Sequence, residues 1–469
     1  MPSGRDHADL MNSDPIARES PADALQATMR GPVLAPGGPG YDAARRVWNG
    51  SISKNPALVA RCTGTADVMA ALRFAAGHDL PVSVRGGGHS FAGFGTCDDG
   101  LVIDLVLMKG IRVDPWSRRV IAQGGVTWGD LDHETAAFGL ATTGGLISTT
   151  GIGGLTLGGG IGWLMGKYSL ALDNLRGVEL VTADGKVLQV DKQSEPDLFW
   201  ALRGGGGNFG IATSFDYDLH AVGPTVVGGP IAHPIARARD TLNFFRDATQ
   251  SLADEQILFA ALTHAPDGSG TPVAALVTCH CGPPAEAERA VQSLKQFGTP
   301  VVDGIGPIAY DQLNTILDAG FPKGAFNYWK SNFLTELSDA AIETMIDCFA
   351  RCPTPMGQLL VEHLHGAVTR VGISETAFPH RKEGYNLLIL AQWTNHADTS
   401  ACIEWARETA TLMRPFFATG RYVNYLDDDE TGDPVAAAYG PNYRRLQQIK
   451  ARYDPKNVFR MNQNIRPLA

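Results

Sequence analysis

No run in this chain approaches the roughly 20 consecutive apolar residues that a bilayer-spanning helix needs, so no membrane segment is expected. The N-terminus, MPSGRDHADLMNSDPIARES, lacks the apolar core of a secretory signal, and a cytoplasmic location is expected. Basic residues are in deficit: 39 Lys and Arg against 49 Asp and Glu leave a formal charge of -10, which argues against a nucleic-acid partner. Cysteine is sparse and odd in number, at Cys62, Cys97, Cys279, Cys281, Cys348, Cys352 and Cys402. Neither Cys279-His280-Cys281 nor the Cys348 and Cys352 pair has a second pair at zinc-finger spacing, so free or structural thiols and no metal are expected. There is no internal repeat.

Glycine is what the chain has in excess: 54 of 469 residues, about 11.5% where about 7% is usual. The excess is clustered, as where backbone must lie close to a ligand. From Asn55 the pattern reads strand (57–62), helix with Thr65 as a possible cap, strand (80–85), then Gly86-Gly87-Gly88-His89-Ser90 and a strand at 101–105. Residues 113–125 read as strands and 127–138 as a helix. Residues 144–162, GGLISTTGIGGLTLGGGIG, are the densest glycine segment. A hairpin follows at 178–190, then a short helix ending in Gly204 to Gly207, and an alternating strand at 211–219.

Near Val222-Gly223-Pro224 glycine thins and the character changes. Helices at about 235–250, 284–296, 339–351 and 399–413 alternate with strands at about 259–263, 273–281, 358–365 and 385–393. That mix predicts an α+β unit, an antiparallel sheet backed by helices. Residues 1–40 read as a loosely attached arm, helical around 22–30. A last helix is expected at 443–452.

Three chemistries compete for the glycines. A nicotinamide-type G-x-G-x-x-G site needs a helix after its glycines, and here Phe91-Ala92-Gly93-Phe94-Gly95 follows. A phosphate loop of the form G-x-x-x-x-G-K-[ST] is absent. Several glycine loops lining one extended, phosphate-bearing cofactor remain, with backbone N–H groups as anion nests. Arg85 could meet a pyrophosphate or equally an acidic side chain.

The motifs Arg85-Gly-Gly-Gly-His89-Ser90, the 150–162 segment with Tyr168 to Asn174, the 197–210 segment, Thr376 to Arg381, Tyr422-Val-Asn-Tyr425, Tyr439 to Tyr443, Asp454 to Phe459 and Asn462 to Ile465 occur in order. Together they resemble the berberine bridge enzyme-like FAD-linked oxidases, within the vanillyl-alcohol oxidase (PCMH-type) superfamily. The resemblance runs from about Trp48 to Pro467 and is nearest to bacterial members. It implies an α+β fold: a PCMH-type FAD-binding domain of two α/β subdomains (41–222 and 420–469) and a substrate domain at 223–419. It implies a monomer or homodimer, a small-molecule substrate and secondary metabolism.

The same resemblance implies FAD bonded at its 8α carbon to His89, with Arg85, Gly86, Gly87, Gly88 and Ser90 around it. Further cofactor contacts are implied at Gly145, Thr149, Thr150, Gly151, Gly153, Gly154, Gly160, Asp173, Gly210, Ile211, Asn462 and Asn464. Many relatives add a cysteinyl link; here Ile147 holds that position, so one covalent link is expected. Members that react readily with oxygen often carry valine where this chain has Thr150. Oxygen is the expected acceptor, giving hydrogen peroxide, with a quinone or dye-like carrier as the alternative. Tyr425, ahead of Tyr422, is the implied base, its phenol lowered by nearby positive charge or hydrogen bonds. A flavin-bearing binding protein without turnover is the remaining reading, against which both tyrosines argue.

Leu387, Leu388 and Ile389 predict an apolar pocket with no carboxylate base on that strand, which disfavours a purely carbohydrate substrate. Glu362, His363 and His365 share another predicted strand and could line the site, bind a metal or pack. Tyr328, Trp329 and Lys330 form an aromatic-basic patch, and His380 and Arg381 read as structural.

Overall fold

A computed structural model describes residues 20–468 except 266, 428, 430 and 431. Residues 1–19 of the expected N-terminal arm lie outside the described residues. The helix expected there is short, Pro21–Gln26, and is capped by the Ser20 side chain.

Strands Leu58–Arg61, Leu101–Asp104 and Val82–Arg85 lie parallel in that order, with Val33–Leu34 antiparallel at the outer edge. Helix Thr65–Gly77 makes the crossover between the first and third of these and buries Val68, Ala71, Leu72 and Ala75, one stripe at helical spacing. Gly64, not Thr65, takes its N-cap position. The Thr65 hydroxyl instead donates to Glu179 Oε1 at 2.6 Å, tying this layer to the next sheet.

That second sheet is antiparallel and runs Ile111–Asp114, Arg119–Gln123, Ile211–Asp218, Leu175–Val181, Val187–Asp191. Helix Trp128–Ala136 begins with a capping box: Asp130 N–H donates to Thr127 Oγ1, and Thr127 N–H to the Asp130 carboxylate. The glycine-dense segment holds an unforeseen helix, Ile152–Gly158. Glycine disfavours a helix interior by about 1 kcal/mol. Here tertiary packing of the buried Ile152 and Leu157 into the core overrides that preference.

The third sheet is wholly antiparallel: Val302–Asp303, Thr225–Pro234, Pro272–His280, Gln256–His264, Gln358–Leu364, Gly384–Trp393, Phe326–Phe333. Gly306–Ala309 pairs separately with Thr225–Pro234. The strand Thr225–Pro234 is missed by sequence reading, because its Gly228-Gly229-Pro230 looks like a turn. Alternation splits the strands between two cores. Leu258, Ala260, Val361, Leu387 and Ile389 pack with helices Ala238–Thr249, Asp339–Phe349 and Thr399–Met413. On the other face Ile257, Phe259, Val277 and Cys279 meet Trp163, Leu170 and Tyr422 from the first part and the end of the chain.

The C-terminal helix Tyr443–Tyr453 presents Lys450 into the protein. Its Nζ donates to Asp454 Oδ2 at 2.7 Å, Asn208 O at 2.7 Å and Phe459 O at 2.9 Å, and both charged side chains are fully buried. Asn208 in turn accepts from Ile465 N–H and donates to Gln463 O, so the tail is stapled to the Gly204–Asn208 loop. Removing one member of a buried ion pair strands the other charge. Lys450→Ala is expected to cost about 3–5 kcal/mol, read as a lower thermal midpoint; an unchanged midpoint would show that the staple carries no weight.

Candidate active site

Where the three sheets meet lies a cavity of about 340 Å³. Residues 85–91, 145–147, 206–208 and 423–426 line it, with Thr150, Gly151, Gly154 and Leu155. Trp329, Leu360, Glu362, Leu388 and Leu390 close it from the third sheet, Leu317 and Phe321 from the loop beneath that sheet, and Tyr439, Asn462 and Gln463 from the tail.

The strand Val82–Arg85 delivers the first glycine loop. Arg85 does not offer its charge to the cavity. Its guanidinium makes a paired contact with the fully buried Asp104, and donates to the carbonyls of Ala44 and Arg46. It therefore anchors the loop. The backbone N–H groups of Gly86 to Ser90 donate to no acceptor among the described residues, and Gly88 sits at φ +72°. Consecutive free N–H groups on such a turn form an anion nest. Gly87 lies against the second glycine loop so closely that a Cβ there would stand 2.3 Å from Gly151 N.

His89 leaves this loop half-buried, its ring stacked on Trp48 at 5.2 Å and 20°. Thr149 Oγ1 lies 2.9 Å from Nε2 and Thr150 Oγ1 3.4 Å from Nδ1. Burial, then the charge of Lys323, push the imidazole down to about 4, so the ring is neutral and nucleophilic at physiological pH. Trp48, absent from the sequence candidates, also donates from Nε1 to Phe321 O at 3.1 Å and so joins the histidine loop to the loop beneath the third sheet.

The tail contributes polar atoms in want of partners. Asn462 Oδ1 and Tyr439 Oη are buried without a hydrogen-bond partner among the described residues, and both residues line the cavity. With the N–H nest and the histidine, these suit a long ligand carrying phosphate and hydroxyl groups, as FAD does.

Several expected contacts are set back from the wall. Gly153 packs on the Phe215 ring. Gly160 N–H donates to Tyr422 Oη at 2.8 Å. Asp173 is held by Arg381 at 2.7 and 2.8 Å. Gly210 lies against Leu180, Ile211 is in the core, and Asn464 Oδ1 is buried behind the lining. Thr149 touches His89 from outside the cavity. Gly206, Gly207, Asn208 and Gln463, not among the candidates, do line it; the 197–210 and Asn462 to Ile465 motifs had signalled their neighbourhoods.

At the other end the two tyrosines part company. Tyr422 is fully buried outside the cavity, its oxygen accepting from Gly160 N–H and from Asn424 Nδ2 at 2.9 Å. Tyr425 lines the cavity and donates from Oη to Glu362 Oε1 at 2.9 Å. The resemblance implies a phenol lowered by nearby positive charge or hydrogen bonds. The structure places a carboxylate there, and burial with that charge raises it well above its ordinary value. Glu362 also accepts from Asn386 Nδ2 at 2.9 Å, and Asn386 Oδ1 accepts from Ser331 Oγ at 3.0 Å. Burial pushes the Glu362 carboxyl up to about 7, against the partial relief of its two hydrogen bonds.

Strand alternation decides the rest. Leu388 and Leu390 face the cavity while Leu387 and Ile389 face the helices. The Leu387–Ile389 strand is apolar as expected, but the neighbouring strand supplies the carboxylate. His363 and His365 are stacked on each other off the cavity, His365 Nε2 lying 2.9 Å from Gln256 O. No cluster of three metal-ligating side chains occurs among the described residues. Trp329 lines the cavity, whereas Lys330 pairs with Asp427 at 2.7 Å and Tyr328 donates to Asp429 at 2.7 Å. His380 Nε2 lies 2.9 Å from Ala438 O.

Residues 56–191 match the family model described as FAD binding domain, and residues 421–466 the one described as berberine and berberine like. (R)-6-Hydroxynicotine oxidase of Paenarthrobacter nicotinovorans is 34% identical over 455 residues, covering 95% of this chain and 98% of its own. An FAD-linked oxidoreductase of Dictyostelium discoideum is 33% identical, covering 90% and 91%. The crystal structure of 6-hydroxy-D-nicotine oxidase from Arthrobacter nicotinovorans superposes with a TM-score of 0.84 at 32% identity, over 94% of this chain and 98% of that one. The α+β, PCMH-type fold follows. Identity of one-third along nearly the whole of such relatives is decisive, and the chain belongs to the berberine bridge enzyme-like family of FAD-linked oxidoreductases.

Proposed function

We propose that this FAD-dependent oxidoreductase takes a hydride from a small alcohol or amine with an apolar body, holds its flavin through His89, and uses the Glu362–Tyr425 pair as its base. The flavin, when bound, supplies the hydride acceptor. The observation that carries the reading is the 2.9 Å hydrogen bond from Tyr425 Oη to Glu362 Oε1, which joins two cavity-lining residues.

A buried tyrosine with a raised pKa is a poor base alone. Coupled to an ionised Glu362, it can take a proton from the substrate O–H or N–H while passing its own to the carboxylate. Asn386 holds the second carboxylate oxygen and fixes the direction of transfer. Leu146, Ile147, Leu317, Phe321, Leu360 and Leu388 make the surrounding wall apolar. Such a wall excludes water and favours an apolar substrate body over a sugar. The relative named for (R)-6-hydroxynicotine supports a nitrogen-bearing substrate.

Ile147 and the absence of any cysteine from the lining among the described residues support a single covalent link. The oxidase names among the relatives support oxygen as acceptor. Thr150 favours a second reading, a dehydrogenase using another carrier, since its hydroxyl makes the cavity wall more polar than valine would. Cavity walls drawn from both parts of the chain support a flavin domain at 41–222 and 420–469 and a substrate domain at 223–419.

Acid precipitation is expected to leave the yellow colour in the wild-type pellet and to release it in His89→Ala; release from the wild type would sink the covalent link. With a substrate found by flavin bleaching, oxygen uptake against dye reduction separates the two acceptors.

Glu362→Gln is expected to lower kcat about 10²- to 10⁴-fold and to abolish a rise in rate through pH 7. An unaltered pH profile would remove Glu362 from the base. Stability moves the opposite way. The folded-state value near 7 exceeds the ordinary 4.5, so ionisation is disfavoured by folding. The wild type therefore loses stability as pH rises from about 4.5 to about 7, by about 3 kcal/mol in all. The glutamine variant is expected to match the wild type near pH 4.5 and to melt higher at pH 8; equal midpoints at both would refute the buried-carboxylate argument.

A further inference from the structure

Tyr425 and Glu362 come from different parts of the chain, and their 2.9 Å hydrogen bond crosses the seam between them. The segment that carries Tyr425 is tied on its own side of that seam. Tyr425 N–H donates to Tyr422 O at 3.0 Å, Asn424 Nδ2 to Leu155 O at 3.0 Å, and Gln463 Nε2 to Leu426 O at 2.9 Å. None of these three bonds reaches the third sheet, where Glu362 sits.

Two residues beyond Tyr425 the seam is crossed again. Lys330 lies on Phe326–Phe333, the strand at the edge of the third sheet. Its Nζ stands 2.7 Å from Asp427 Oδ2 and 2.6 Å from Asp429 Oδ1. The Lys330 and Asp427 side chains are only 11% and 4% exposed. Asp429 also accepts from Tyr328 Oη at 2.7 Å and pairs with Arg407 of helix Thr399–Met413. Alternation thus divides the aromatic-basic patch of the sequence: Trp329 lines the cavity, while Tyr328 and Lys330 hold the two carboxylates.

We propose that Lys330 and Asp427 are positioning residues for proton transfer: their buried pair pins the Tyr425 segment to the third sheet and so keeps the Tyr425 oxygen within reach of Glu362. This rests on the Glu362–Tyr425 base proposed above. Exposed ion pairs hold little, because water screens them. A pair this buried is costly to open, because each charge loses its partner where water cannot replace it. Proton transfer needs heavy atoms about 2.6–3.2 Å apart. A withdrawal of the segment by about 1 Å would therefore break the base while leaving both of its members in place.

The reporter is Glu362 itself. Asn386 and Tyr425 are its hydrogen-bond donors, and Tyr422 is the next titratable group. The Tyr425 bond lowers the carboxyl from where burial alone would put it, so losing that bond raises it. Asp427→Ala removes the tie and leaves Lys330 paired with Asp429, so the lysine charge is not stranded.

The purified flavoprotein would be titrated by infrared spectroscopy, with the Glu362 carboxyl band assigned by its loss in Glu362→Gln. The wild-type midpoint is expected near 7. Asp427→Ala is expected to raise it by about one pH unit, as is Tyr425→Phe, and the double variant to go no further than either. Asp427→Asn, which keeps an acceptor for Lys330, is expected to stay at the wild-type midpoint. A tie that merely stabilises the fold would lower the melting temperature of Asp427→Ala and leave the midpoint where it was. That result, or additive shifts in the double variant, overturns the role of Lys330 and Asp427 alone. A wild type with no such band titrating near neutrality overturns both this and the Glu362 reading.

Discussion

The cavity depends on two backbones meeting with nothing between them. A side chain on Gly87 would strike Gly151, and one on Gly151 would strike Gly87 at the same 2.3 Å. This contact brings the loop after Val82–Arg85 against the loop before Ile152–Gly158, two segments about sixty residues apart in sequence. His89 and its threonines sit on either side of it. Any larger residue would part the loops, and with them the histidine and the hydroxyls that face it. Arg85, committed to Asp104, holds one loop from behind, and the Gly204–Asn208 loop with its tail staple closes the far end.

The opposite wall is built on different physics. The third sheet presents an apolar surface, and within it a single carboxylate is expensive. Burial holds Glu362 near pH 7, while Tyr425 and Asn386 supply the hydrogen bonds that make its ionised form tolerable. A group poised near neutrality is what proton transfer asks for, and burial that disfavours its charge is the source of that poise. At the glycine-loop wall the same effect acts with the opposite sign on His89, keeping it neutral. One cavity thus holds a neutral imidazole at one wall and a carboxyl poised near pH 7 at the other.

Much of the fold was legible from periodicity. Helix Thr399–Met413, the strands of the third sheet around Phe259, Val277 and Val361, and the helical end at Tyr443–Tyr453 follow apolar spacing that local sequence carries by itself. Helix Ile152–Gly158 and strand Thr225–Pro234 did not, because their glycines and proline oppose the state that burial imposes. The glycine loops, His89 and the asparagine tail were legible as motifs because backbone proximity to a ligand demands a particular residue type.

What the sequence determined by itself is therefore the family, the cofactor class and the ordered glycine and histidine motifs, all of them constraints on residue identity. What only the tertiary structure decided is which partner each polar group meets. Arg85 turns to Asp104, Tyr422 to a backbone N–H, and Tyr425 to Glu362, sixty-three residues away in the chain. Alternation along a strand put Glu362 in the cavity and His363 behind it, but the sign of that alternation is set by which face the helices cover. No local pattern encodes that choice, because it is made by surfaces that come together only when the chain is folded.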